Sequence, residues 1–260
     1  LNFRHPEVIR IFRLMTPLIL SMLITKIMPL TDRFFLSQLP EGSISYVGYS
    51  YRITLRIIEI LASGTMLVLF PVMAVNAASS NYENLHYYMT KGIKTLFYLI
   101  IPFVAIFFLY GKPMIKFIFE RGKFTPYDTE AMFRAFALYL LSLPAIVIVG
   151  ILYKGFYAIQ KNTVVAAVNV SMTLLYIGFC IILLKFFNYL AIPFSHALTF
   201  NINLVITSLL MKRYLRVKGS RDVLVELAKS SISALIAALC LWPMMGLAKY
   251  GLVQYLALCG

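Results

Sequence analysis

The chain has 260 residues, of which 61% are hydrophobic, 15% aromatic and only 13% charged, with a mean hydropathy of +0.84. Soluble domains carry roughly a quarter charged residues, so water is not the main solvent here, and the formal net charge of +14 reads as membrane topology rather than as a nucleic-acid surface. Cys180, Cys240 and Cys259 sit in apolar runs without CxxC or Cys/His spacing, which argues against a disulfide framework or a metal centre built on them.

Apolar runs and their Gly, Pro and charge punctuation predict helices over 9–36, 43–76, 91–111, 127–158, 162–187, 192–214 and 222–247, followed by an incomplete run, Gly251–Gly260. Each complete run can cross about 30 Å of hydrocarbon, where only helices or closed barrels satisfy their backbone polar groups. The runs are continuous rather than alternating. The expected fold is therefore all-α, a polytopic transmembrane bundle of about seven complete spans plus a truncated one. The opening residues, Leu-Asn-Phe-Arg-His-Pro, do not resemble a signal peptide, and both ends read as cut from something longer.

Assigning alternate loops to alternate sides places Arg4, Arg10, Arg13, Lys91, Lys94, Lys161, Lys212, Arg213, Arg216, Lys218 and Arg221 together, and the positive-inside rule makes that side cytoplasmic. The opposite side holds the SQLPEGS loop, which has no Lys or Arg. One outer loop departs from the rule: 111–125 carries Lys112, Lys116, Arg121 and Lys123. A short interfacial helix over Met114–Glu120, with its cations at headgroup level, would accommodate it.

Charges inside spans are costly and mark function by default. At about 100° per residue, Ser45, Tyr49, Arg52, Arg56, Glu59 and Ser63 fall in one stripe of the second span, with Ile53, Leu55, Ile58, Leu61 and Met66 elsewhere. Such a stripe must face other helices or water. Glu59 pairs with Arg56 at i,i+3 in the bland reading, which leaves Arg52 over, the feature a site for an anionic headgroup needs. In the first span Lys26 and Arg33 share a face beside Asp32, on a helix interrupted by Pro17 and Pro29. Arg33 either snorkels to the interface or joins the site; Asp32 pairs with a neighbouring cation or helps bind a coupling cation. In the fourth span Arg134 is either a third cavity cation or the partner of Glu130. His5, His86 and His196 have no ligand-spaced companions. No nucleophile elbow, phosphate loop, zinc helix or dinucleotide fingerprint occurs, so enzymatic chemistry has no candidate site.

Several ordered motifs resemble the MurJ/MviN family of the MOP superfamily. The segment EGSISYVGYSYR (Glu41–Arg52), preceded by Pro40 and followed by LVLFP ending at Pro71, is similar to a PEGS-like loop leading into a Tyr-x-x-Arg helix that closes on proline. FERGKFTPYDT (Phe119–Thr129), KGFYAIQ (Lys154–Gln160) and RIFRLMTPLIL with the later Asp32 match further motifs in order. The resemblance implies that 1–220 is the second, C-terminal lobe of a two-lobed transporter and that 221–260 forms extra helices lining a groove for a lipid tail, the last one truncated. It further implies alternating-access translocation of an undecaprenyl-pyrophosphate-linked peptidoglycan precursor, lipid II, across the bacterial cytoplasmic (inner) membrane. The expected partners are this anionic precursor, membrane lipids and the missing first lobe, with no nucleic acid. Arg52 matches the family's cavity arginine; Arg56 and Glu59 are not strictly the family pattern but share its stripe, and with Lys26 and Arg134, taken from the charge pattern, they make up the expected substrate-binding set. No organic cofactor is expected; coupling falls to sodium, at Asp32 and Thr199, or to the membrane potential. The sequence departs from the family pattern at Tyr51, which stands where an acid or amide usually precedes the arginine, in lacking the usual Pro-Leu-Gly that follows, and at Tyr176 and Cys180, where a polar pair is usual. The rival readings are a polysaccharide-repeat or drug transporter of the same superfamily, a non-transporting scaffold for cell-wall synthesis, and a lipid-modifying enzyme.

Overall fold

The computed structural model describes residues 26–215, together with positions 15, 16, 19, 23 and 24. The expected span 222–247 and the whole 221–260 segment lie outside the described residues, as do positions 9–14, 17, 18, 20–22 and 25 of the first span. The described residues form six α-helices: α1 (Ile27–Leu36), α2 (Ser43–Ala78), α3 (Tyr82–Phe119), α4 (Pro126–Ala158), α5 (Asn162–Phe187) and α6 (Ala191–Leu215).

Local chemistry sets where these helices begin. Lys26 forms a turn whose N–H bonds the Leu23 carbonyl at 3.1 Å. Helix α1 then opens with Pro29 in its first turn, where the missing N–H has no intrahelical partner to lose. Gly42 precedes α2 at φ 91°, and a Cβ there would lie 2.5 Å from the Tyr46 hydroxyl, so glycine meets both the left-handed backbone and the close approach. The Asn81 side chain caps α3 by accepting from the Asn84 N–H at 3.1 Å. Thr125 and Asp128 form a capping box at α4, with Pro126 as its first helical residue, an arrangement that satisfies otherwise orphaned N–H groups.

Two expectations change. The 91–111 span is part of a 38-residue helix that begins at Tyr82, and Met114–Phe119 continues that helix rather than forming a separate interfacial one. Pro113 removes one helical hydrogen bond, but Gly111 and Ile115 on either side of it are both buried. Gly111 packs beneath the rings of Phe133 and Phe136 of α4, so tertiary packing carries the helix through the proline. At 1.5 Å per residue, α2 and α3 run to about 54 and 57 Å, well beyond about 30 Å of hydrocarbon. Polar ends such as Glu83, Lys91 and Lys94 therefore belong to helices without lying in the hydrocarbon.

Helix α4 is the axis of the bundle, packed by α2, α3 and α6, while α6 doubles back along α5 after a single 3-10 turn at Asn188–Leu190. Helices α2, α3 and α4 and the stretch Asn162–Leu215 are each long and apolar enough to cross a membrane. The main core joins Met73, Leu85, Leu96, Phe136, Leu140 and Phe156. A second cluster, including Leu36, Val47, Tyr139, Tyr176, Cys180 and Ile192, gathers α1, α2, α4, α5 and α6 at one end. At the other end, which the charge rule makes cytoplasmic, Lys154 lies 5.0 Å over the Phe70 ring and Lys161 lies 5.8 Å over Tyr214.

Gly111→Leu tests the α3–α4 contact. A Cβ at this position already lies 3.1 Å from Phe133 and 3.2 Å from Phe136, so a full side chain should cost about 1–3 kcal/mol of overpacking, read as a lower melting temperature in detergent.

Candidate functional site

One face of α2 is spent on the fold. Ser43, Val47, Ser50, Thr54, Ile57 and Leu61 recur at three- and four-residue spacing and are all buried. Ser50 Oγ donates to the Met132 carbonyl of α4 at 2.9 Å, and Thr54 Oγ1 bonds back to the Ser50 carbonyl at 3.0 Å. These contacts fix the rotation of α2 about its axis. The opposite face carries Ser45, Tyr49, Arg52, Arg56, Glu59 and Ser63, and every one of them is exposed, meaning turned away from the rest of this lobe.

Within that stripe Arg56 Nη1 is ion-paired with Glu59 Oε2, the two side chains being 75% and 56% exposed. The pair is too open to be a structural tie of much worth. The Ser63 hydroxyl bonds to the Glu59 carbonyl. Arg52 has a different neighbour: its guanidinium lies 5.9 Å from the Tyr49 ring centroid, and Tyr49 in turn meets Phe119 of α3 at 5.4 Å. Among the described residues no carboxylate is within salt-bridge reach of Arg52. The stripe therefore holds two guanidinium groups against one carboxylate, and its unpaired cation stands beside an aromatic ring, a setting in which Arg is well placed to bind phosphate oxygens.

The other expected site residues are not all brought to this face. Lys26 is exposed at the turn before α1. Arg134 is set apart from the stripe: Met132 faces α2, and Arg134 is two residues, about 200°, further around α4. Its Nε donates to Glu130 Oε1 at 3.0 Å, and Glu130 Oε2 also meets Lys112 Nζ of α3 at 2.6 Å. Arg134 is thus paired with Glu130 in an ion network between α3 and α4 while remaining largely exposed. Lys116 and Glu120, 3.7 Å apart, extend the ionic end of α3.

Asp32, half-buried on α1, accepts a hydrogen bond from the Tyr176 hydroxyl of α5. Thr199 is buried on α6, and its hydroxyl has no hydrogen-bond partner among the described residues; Ser195, one turn earlier, is buried beside the Cys180 thiol of α5. Between them His196 is enclosed by the rings of Tyr51, Tyr139, Tyr176 and Phe200, with Nδ1 3.3 Å from Ser142 Oγ.

Sequence reasoning missed three polar ties. The Tyr46 hydroxyl donates to Asp128, joining the starts of α2 and α4. Tyr153 of α4 donates to Asn169 of α5 at 2.9 Å and accepts from Asn203 Nδ2 of α6 at 3.0 Å. Asn203 Oδ1 also accepts from Thr207 at 2.7 Å. The third is the Lys112–Glu130 bridge. For the Tyr153 cluster the available signal was neutral: two asparagines and a tyrosine inside apolar runs, quieter than the charges but equally in need of partners.

A family profile described as lipid II flippase MurJ matches residues 1–259. Similar curated proteins include a probable lipid II flippase MurJ of Buchnera aphidicola subsp. Schizaphis graminum, 26% identical over 170 residues that cover 65% of this chain and 33% of that protein. The lipid II flippase MurJ of Burkholderia cenocepacia is 26% identical over 223 residues, covering 83% of this chain and 41% of its own length. The chain thus spans about a third to two fifths of these relatives. Among solved structures, a lipid II flippase MurJ in an inward closed conformation superposes with a TM-score of 0.76 at 20% identity, covering 90% of this chain and 48% of that one. An outward-facing multidrug MATE transporter of the MOP superfamily gives 0.66 at 19% identity, covering 86% and 52%. At these identities the two structures establish the fold alone.

The split between fold and stripe is testable by stability. Asn203→Leu should cost about 1–3 kcal/mol by stranding the polar atoms of Tyr153 and Thr207, whereas Arg52→Ala and Arg56→Ala, on the exposed face, should leave the melting temperature unchanged.

Proposed function

This chain belongs to the lipid II flippase MurJ family, and from that premise we propose that its protein moves an undecaprenyl-pyrophosphate-linked peptidoglycan precursor across the cytoplasmic membrane by alternating access, with this chain as the second lobe. The observation that carries the proposal is the cationic face of α2. It is built into a membrane-crossing helix, turned away from the lobe's own core, and holds more positive than negative charge. Lipid is a poor environment for such a face, since each Arg costs about 2.5–3.5 kcal/mol at a helix centre even on the lenient insertion scale. A water-filled cavity shared with a first lobe would remove that cost and present the guanidinium groups to cargo.

In this account Arg52 and Arg56 hold the diphosphate through charge-assisted, bidentate hydrogen bonds. Glu59 keeps Arg56 occupied between cargoes and gives it up when phosphate oxygens arrive. Lys26, at the turn before α1, adds cationic charge at the cavity edge. The lobe rocks as a unit because α4 ties α2, α3 and α6 together, and rocking exposes the stripe alternately to each side. The lipid tail stays in hydrocarbon throughout and so need not be transferred through water. An inside-negative membrane potential favours outward movement of an anion by about 2.3 kcal/mol per elementary charge per 100 mV.

The stripe also bears on the rival cargo classes. Excess arginine repels a cationic drug, and a scaffold has no need of a costly cationic face within the membrane. We read the protein as a transporter rather than an enzyme because the stripe's polar groups lack an arrangement of nucleophile and base.

The test is binding of the precursor to the full-length protein. Arg52→Ala and Arg56→Ala should each weaken it by roughly ten- to a hundredfold, the scale of a lost hydrogen bond to a charged group. Glu59→Gln should tighten it by freeing Arg56. Binding indifferent to all three substitutions would point to another cargo or to the scaffold reading.

A further inference from the structure

The family resemblance brings with it a sodium site at Asp32 and Thr199, and the side chains actually gathered there allow its fit to be judged. Asp32 approaches α5 from α1, and the group facing its carboxylate is a donor, the Tyr176 hydroxyl. That donor already takes Oδ1 of the carboxylate, an oxygen a bound cation would have to compete for. One turn along the same helix is Cys180, fully buried, whose sulfur is a soft ligand ill-suited to a hard cation. Across from it on α6, Ser195 is buried beside the Cys180 thiol, and Thr199 Oγ1 is buried without a hydrogen-bond partner among the described residues. They are neutral hydroxyls one turn apart. The rest of the interior is filled by rings: His196 has centroids of Tyr51 at 5.5 Å, Tyr139 at 5.2 Å, Tyr176 at 6.4 Å and Phe200 at 4.5 Å.

A hard cation takes about six oxygen ligands. Among the described residues the side-chain set here comprises one carboxylate already engaged by a donor, a phenol whose proton is committed to that carboxylate, and two hydroxyls, inside a wall of aromatic carbon. The residues do not fit the ion.

We propose that this chain binds no sodium ion between α1, α5 and α6, and that the Tyr176 hydroxyl stands in its place, holding α1 to α5 by a hydrogen bond to Asp32. This latch joins residues 144 apart in sequence and fastens a short helix whose own start is interrupted at Lys26. Its closure does not depend on the ionic composition on either side of the membrane. The proposal concerns the ion and not the cargo, so it stands independently of the flippase reading.

The test compares melting of the full-length protein in detergent in equimolar sodium, potassium and choline chloride. Wild type should melt at the same temperature in all three, and Tyr176→Phe, which removes only the hydroxyl, should melt lower by the same amount in each. An ion bound at a hundred times its dissociation constant would raise the melting temperature by roughly 5 °C. A sodium-specific rise of that size that Asp32→Asn abolishes would overturn the proposal, as would a Tyr176→Phe protein that melts like wild type. A sodium-specific rise that Asp32→Asn retains would place the ion elsewhere and leave this site ion-free, as proposed.

Discussion

The packing of α2 against α4 is the constraint on which the functional reading depends. A helix can turn about its axis at little cost unless its two faces differ, and here they differ sharply. Ser43, Val47, Ser50, Thr54, Ile57 and Leu61 are buried, and the Ser50–Met132 hydrogen bond adds direction to that burial. With this face committed, Arg52, Arg56 and Glu59 have only one place to go. The same serine and threonine that look unremarkable in sequence thus aim the arginines.

Helix α4 lets the lobe act as one body. Its length is polar-tied at intervals: Asp128 to Tyr46 at one end, Glu130 to Lys112, Ser142 to His196, and Tyr153 to Asn169 and Asn203 towards the other. In hydrocarbon there is no competing water, so the interior ties, Ser142 to His196 and Tyr153 to Asn169 and Asn203, fix helix order as well as contributing modest stability. Apolar packing of Phe136, Leu140 and Phe156 fills the space between them. A lobe bound in this way would transmit a small rotation at its cytoplasmic end to the stripe without internal rearrangement.

The existence and order of the helices were legible from apolar runs, and so was the cationic stripe, because two arginines and a glutamate stand out in a span that is otherwise aliphatic. Helix ends were less legible. Hydropathy reports where hydrocarbon begins, and α3 continues past the expected 91–111 in both directions, back through Glu83 to Tyr82 at one end and on through Pro113 at the other. The cost of Pro113 inside a helix is visible in sequence, while the burial of Gly111 and Ile115 that offsets it is not. Arg134 and Glu130 could be placed on one face from spacing alone, but Lys112, which draws Glu130 towards α3, could not. The partner of Asp32 was hidden for the same reason: Tyr176 read only as a departure from a family pattern, and its position opposite the carboxylate is a tertiary fact.

The central claim is that the Arg52 face of α2 borders water within the membrane. Thiol accessibility tests it most directly, using the full-length protein with Cys180, Cys240 and Cys259 replaced and single cysteines placed at Tyr49 or Ser63 on the stripe, at Ile57 on the buried face, and at Leu174 on an exposed apolar face of α5. A membrane-impermeant maleimide should label the stripe positions, from one side or the other of the membrane, and spare Ile57 and Leu174. Stripe cysteines as unreactive as Leu174→Cys would place that face in lipid or against protein, and would contradict the cavity.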